Sequence, residues 1–202
     1  MATKMYLLTA LIDTQSTDLT GDRRCLSPQP GTTNSGRATT TTVGGTNIQV
    51  TNGAGGSNMT WTSPPLMAVT VSGTINPNIW GLESGNPVNS GRGILIERVD
   101  NTGAVLSTIV ADNAHGTEFT TSAAVNGTWN ITPTSTGINE GDRIRVTLKI
   151  RNVGTMAAGT ATIDHNNATA GGDGDTYVTF TEAIVLRPLP WMGHQVQPLT
   201  AQ

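Results

Sequence analysis

The densest group of residues able to do chemistry lies in Thr162–Phe180, "TIDHNNATAGGDGDTYVTF". It holds Asp164, Asp173, Asp175 and His165 beside a glycine-rich bend. Asp173 and Asp175 have the D-x-D spacing of calcium loops. Such a loop also needs oxygen ligands at further fixed steps and a terminal bidentate glutamate. The flanks here are alanine, glycine and threonine, and Glu182 falls in the next expected strand. Gly171, Gly172 and Gly174, with Asn166, Asn167 and Asp173, instead suit a turn between two strands. The segment therefore reads as a turn, with a bound calcium as the alternative. His115 and His194 are distant in sequence, and no His or Cys spacing fits zinc. No metal and no cofactor is expected.

Paired carboxylates are the other route to chemistry, one donating a proton and the other activating water or attacking. Glu83 and Glu97 lie on or beside expected strands and could converge across a sheet. Such clefts usually also present aromatic platforms, for which Trp61, Trp80, Trp129, Tyr6 and Tyr177 are the candidates in the body. Tryptophan in a β-sandwich more often packs the core or a sheet edge. Glu97 beside Arg98, and Glu140 near Arg143, read as surface pairs of small individual value. No serine sits in a Gly-x-Ser-x-Gly elbow, and no glycine loop precedes a helix to cradle phosphate. The chain reads as non-enzymatic, with no catalytic residue.

These residues must be carried on strands. Threonine is in excess, charged residues are 12% and aromatics 4%, and Lys4 and Lys149 are the only lysines. Net charge is −3 with no basic patch, which speaks against binding nucleic-acid phosphates. The lone Cys25 excludes an internal disulfide and is expected to be buried or partly buried. The apolar run in "MATKMYLLTALIDTQ" is too short for a secretion signal, and no run is long enough to span a bilayer. Synthesis and folding in a cytoplasm are expected, without membrane attachment. The four Asn-x-Thr sequons then read as by-products of composition.

A period of two marks the strands. "RIRVTLKI", 143–150, puts Ile144, Val146, Leu148 and Ile150 on one face and Arg143, Arg145, Thr147 and Lys149 on the other. "GILIERV" and "AVLSTIV" flank "DNTG", the clearest hairpin. "MAVTVSG" and "DTYVTFTEAIV" alternate too, while Pro77 in "TINPNIWGLES" suggests an edge or a bulge. Weaker strands are expected near residues 4–8, 39–43, 47–51, 59–62, 117–121, 128–132 and 159–163. The pattern predicts an all-β antiparallel sandwich of about eight to eleven strands, with a jelly roll suiting the count. Residues 1–185 form one domain, in which 10–37 is a polar, aperiodic excursion. Residues 186–202 form a proline-rich extended arm whose Leu189, Trp191, Met192 and Val196 are the candidate partner-binding residues.

Met59–Asp112, together with "GDRIRVTLKIRNVG" and "GGDGDTYVTFTEAI", resembles small virion structural proteins of tailed bacteriophages. Shared features are an opening "YLL" strand, a Trp-Thr-x-Pro-like entry into a "TxSGT" strand, a Trp-x-x-Glu-Ser segment and a Gly-Asp-x-Tyr-Val-Thr-Phe hairpin. The resemblance covers roughly residues 40–185 and rests on structural motifs. It implies a β-sandwich virion subunit, foremost a capsid decoration or cement protein on the outside of the phage head. Its expected partner is the major capsid protein, with self-association, a trimer favoured. A head-fibre, collar or tail component binding host glycans is the alternative, and a jelly-roll glycan hydrolase the third reading.

Overall fold

The computed structural model describes residues 1–11, 22–30, 36–42, 47–50, 58–85, 88–121, 124–155, 158–165 and 176–188. The Asp173–Asp175 loop and the arm residues Leu189, Trp191, Met192 and Val196 lie outside them. So does His194.

The protein is all-β, as its periodicity predicts, with no α-helix among the described residues. Its strands are β1 Thr3–Leu11, β2 Asp22–Ser27, β3 Gly36–Thr42, β4 Asn47–Gln49, β5 Met59–Thr62, β6 Val69–Val71 and β7 Ile75–Glu83. They continue as β8 Ser90–Val99, β9 Val105–Glu118, β10 Val125–Thr128, β11 Thr136–Ile138, β12 Arg143–Asn152, β13 Gly159–His165 and β14 Tyr177–Phe180. Among the described residues, one large sheet runs β3-β13-β7-β14-β1-β2-β5-β12-β8-β9, with β10 on β7 and β4 on β12. β6 and β11 form a separate pair. Among the described residues the pairings between named strands are antiparallel except β2 with β5. Curling of the large sheet gathers its inner face into one core. Met5, Leu7, Leu26, Trp61, Ile94, Ile96, Leu148 and Phe180 all belong to it.

Two expectations hold for local reasons. The β8–β9 hairpin closes on Asp100, whose Oδ1 accepts from Thr102 N, Thr102 Oγ1 and Ala104 N. Gly103 takes φ of 94°, which only a residue without Cβ adopts at low cost. On β12, Ile144, Val146, Leu148 and Ile150 are all fully buried.

Three expectations change. Asp22–Ser27, inside the expected excursion, form β2, pairing antiparallel with β1 and parallel with β5. β13 and β14 are not a hairpin. They lie end to end along the same side of β7, β13 opposite Trp80–Glu83 and β14 opposite Ile75–Asn78, while β10 takes the other side. Thr176 bridges the junction, donating to the Asp164 carbonyl and accepting from Trp80 N–H. β7 is therefore interior, and Pro77 is tolerated by a local break. Ile75 and Ile131 exchange both backbone bonds, so the next such pair would need an N–H at position 77. Proline has none, and β10 ends at Thr128.

Candidate functional site

Strand β12 carries Arg145, Thr147 and Lys149 on the face opposite the core, as alternation requires. β8 lies on one side of β12, and β4 and β5 on the other. Between them runs an open polar groove of about 350 Å³, lined by Gln49, Asn58, Thr60, Leu95, Glu97, Arg145, Thr147 and Lys149. That volume falls at the small end of ligand-sized cavities. Leu95 is the one apolar side chain in the lining among the described residues.

Glu97 stands directly opposite Arg145 in the β8–β12 register. Its Oε2 accepts from Arg145 Nε at 3.0 Å and Nη2 at 2.7 Å. Both bonds fall on one oxygen, which leaves Oε1 available to an occupant of the groove. Four residues along β12, Gln49 stands opposite Lys149 and donates its amide to the Met59 carbonyl, so its own carbonyl oxygen also remains available. At that same end, Lys149 reaches Asp112 Oδ2 at 3.1 Å, and Arg151 reaches Asp112 Oδ1 at 2.8 Å. Asp112 is on β9, so both cations cross β8. They can because Gly91 and Gly93 stand opposite Arg151 and Lys149. A Cβ at Gly93 would come within 2.8 Å of Arg151 Cγ.

A second charged cluster lies where β7, β8 and β9 meet. Glu83 is buried, and its Oε2 accepts from Ser90 N at 2.9 Å and Ser90 Oγ at 2.8 Å. Burial raises the Glu118 carboxyl above its ordinary range, and the hydrogen bond and charge of Glu83 add to the rise. Paired carboxylates thus exist, but Glu83 partners Glu118 rather than Glu97. Nothing in sequence spacing signals this. Glu118 reaches Glu83 because the far end of β9 folds beside β7, with Thr120 bridging to Leu82. Ser90 is fully buried, which bars its hydroxyl from substrate.

Beside this cluster Arg92 is also buried, at 1% exposure. Its guanidinium donates to the carbonyls of Ile79, Thr117 and Val125 and lies 4.5 Å over the Phe119 ring. Burial lowers its pKa to about 10. Burial, then the Arg92 charge, holds the His115 imidazole below its ordinary value.

The other candidates have structural surroundings. His165 is buried edge-on against Trp61, and Trp61 Nε1 donates to the Leu8 carbonyl. Trp129 Nε1 donates to Asn113 Oδ1 beside His115. Tyr6 and Tyr177 pack against each other at 5.5 Å. Cys25 is a half-buried thiol outside any disulfide. The expected surface pairs are replaced by Glu97–Arg145, Arg98–Asp142 and Arg187–Glu140. Chain neighbours on a strand point to opposite faces, so Glu97 and Arg98 cannot pair. Glu182 lies past the end of β14, where its Oε1 accepts from Ser72 N and Gly73 N. Among the described residues no group of three or more His, Cys, Asp or Glu could hold a metal ion.

No family model and no curated protein matches the sequence. Solved structures do match in fold. A CocE/NonD family hydrolase from Staphylococcus aureus superposes over 93% of this chain with a TM-score of 0.57 at 10% identity. An aminopeptidase from a marine sediment Thaumarchaeota archaeon superposes over 89% with a TM-score of 0.56 at 9% identity. An α-amino acid ester hydrolase superposes over 89% with a TM-score of 0.54 at 11% identity. The chain spans 36% of the length of each. At such identities the likeness is one of fold. It overturns the expectation of a non-enzymatic capsid decoration protein with a head-fibre alternative. The architecture shared over nine-tenths of this chain is one carried by hydrolases.

Proposed function

We propose that this chain takes part in the hydrolysis of small polar esters or amides, as the β-sandwich part of a hydrolase. The observation that carries the proposal is the shared fold over 89–93% of the chain with hydrolases about two and a half times its length. The groove on β12 supports it. A ligand-sized concavity with one free carboxylate oxygen and a partly satisfied ammonium suits a polar substrate, not an apolar one. In this reading the β8–β12 face holds the substrate. The nucleophile and base come from a further domain or a partner chain, because the Ser90–Glu83 pair is sealed.

The test is turnover. The purified chain, and the assembly it retains from its native extract, are assayed on chromogenic amino-acid esters and aminoacyl anilides. Hydrolysis that stays with the chain on an affinity column, and weakens when Glu97→Gln replaces the wild type, is the expected result. No turnover above the blank, from either the chain or its assembly, overturns the proposal.

A further inference from the structure

The groove's charges are arranged along one direction, and this limits what fits. Arg145, and with it Glu97, lies four residues from Lys149 along β12, about 13 Å at strand rise. Lys149 leans across β8 toward Asp112, so the two charged heads are offset sideways as well as along the strand. One end offers an acceptor, Glu97 Oε1. The other offers donors, since an ammonium carries three N–H groups and Asp112 takes one from Lys149. Between them Thr60, Thr147 and Asn58 supply hydroxyl and amide groups. Among the described residues no aromatic side chain lines the groove, so they offer no stacking platform of the kind a neutral sugar would use.

We propose that this groove binds a di- or tripeptide with free termini, its α-ammonium on Glu97 Oε1 and its carboxylate on Lys149 Nζ. An extended tripeptide spans about 10 Å between its termini, at roughly 3.3–3.6 Å per residue. The Thr and Asn side chains then meet the peptide N–H and C=O groups. Arg145 acts as a positioning residue. By gripping one carboxylate oxygen through two donors, it fixes the Glu97 plane and turns the other oxygen to the ligand.

The proposal deepens the hydrolase reading, on which it rests only for the groove's role as a substrate site. Its test therefore reads binding to the chain alone and involves no turnover. Trialanine, N-acetyl-trialanine and trialanine amide are titrated calorimetrically into the chain at low salt. Trialanine is expected to bind, with each blocked form weaker by about tenfold or more, equivalent to about 1.4 kcal/mol. Glu97→Gln should reduce trialanine binding to the level of the acetylated peptide, and Lys149→Met to the level of the amide. The peptide comparison uses wild-type protein, so it stands even if a variant fails to fold. Absence of trialanine binding, or equal binding of free and blocked peptides, overturns the proposal. Peptide binding without any associated turnover would sink the hydrolase reading and keep this one.

Discussion

Glu97 and Arg145 face each other across β8 and β12, and the guanidinium grips a single carboxylate oxygen through Nε and Nη2. The Glu97 side chain is 12% exposed and that of Arg145 19%, so the pair is neither solvated nor sealed. Charge-assisted bonds in such surroundings are worth more than exposed ones. Glu97→Gln and Arg145→Met should each destabilise the fold by about 1–3 kcal/mol. A double-mutant cycle in urea should return a coupling of about 0.5–3 kcal/mol. Additive single effects would show that the pair does not act as a unit.

Arg92 and Gly127 make a second dependence. A Cβ at Gly127 would sit 2.7 Å from Arg92 Cδ and Nε. The guanidinium has no room to retreat, because three carbonyls from β7, β9 and β10 hold it. Gly127→Ala should destabilise by about 1–3 kcal/mol through overpacking. Arg92→Leu should cost at least as much, because it strands three carbonyls that Arg92 now satisfies. Chemical denaturation compares the two; a neutral Gly127→Ala would refute the close approach.

Leu148 and Thr147 separate the two faces of β12. Leu148 is fully buried in the core, and Leu148→Ala should cost about 2–5 kcal/mol. Thr147 is 4% exposed but floors the groove, so Thr147→Ala removes little packed volume. Its cost should be about 1 kcal/mol, typical of single substitutions. Equal losses in thermal denaturation would place the groove floor in the core.

Two glutamates should respond to pH with opposite signs. Burial opposes ionisation of Glu182, but the Ser72 and Gly73 N–H bonds outweigh it and hold the carboxyl below 4.5. Its contribution is present above pH 4.5 and is lost as pH falls through the lower, folded value. The stability advantage of wild type over Glu182→Gln should therefore narrow on acidification below pH 4.5. Glu118 is raised above 4.5 by burial and by Glu83. Its contribution is present below pH 4.5 and is lost as pH rises through the folded value. Wild type should lose ground to Glu118→Gln between pH 4.5 and 7. Urea denaturation across pH 3–7 checks both; parallel curves for wild type and variants would remove the carboxyls from the pH dependence.

The sequence by itself determined what depends on near neighbours. Alternation in 143–150 set the core face of β12, since a period of two decides which side chains share a face. "DNTG" set the β8–β9 turn, because Asp100 and Gly103 complete it within five residues. The all-β class followed from many such short signals. The groove was half legible. Arg145, Thr147 and Lys149 could be placed on one outer face, and Glu97 was singled out, but with Glu83 as its partner.

Tertiary structure decided the pairings that sequence distance hides. β13 and β14 lie end to end on β7 because Trp80–Glu83 and Ile75–Asn78 each offer a ladder on the same side. No local pattern tells a hairpin from two collinear strands. Glu97 met Arg145, 48 residues away, and Glu83 met Glu118, because strand order placed them side by side. Lys149 and Arg151 reach Asp112 only because Gly91 and Gly93 leave β8 bare beneath them. A strand's own residues fix which way its side chains point. Only the neighbouring strands, brought in by the closing of a shared core, fix what those side chains touch.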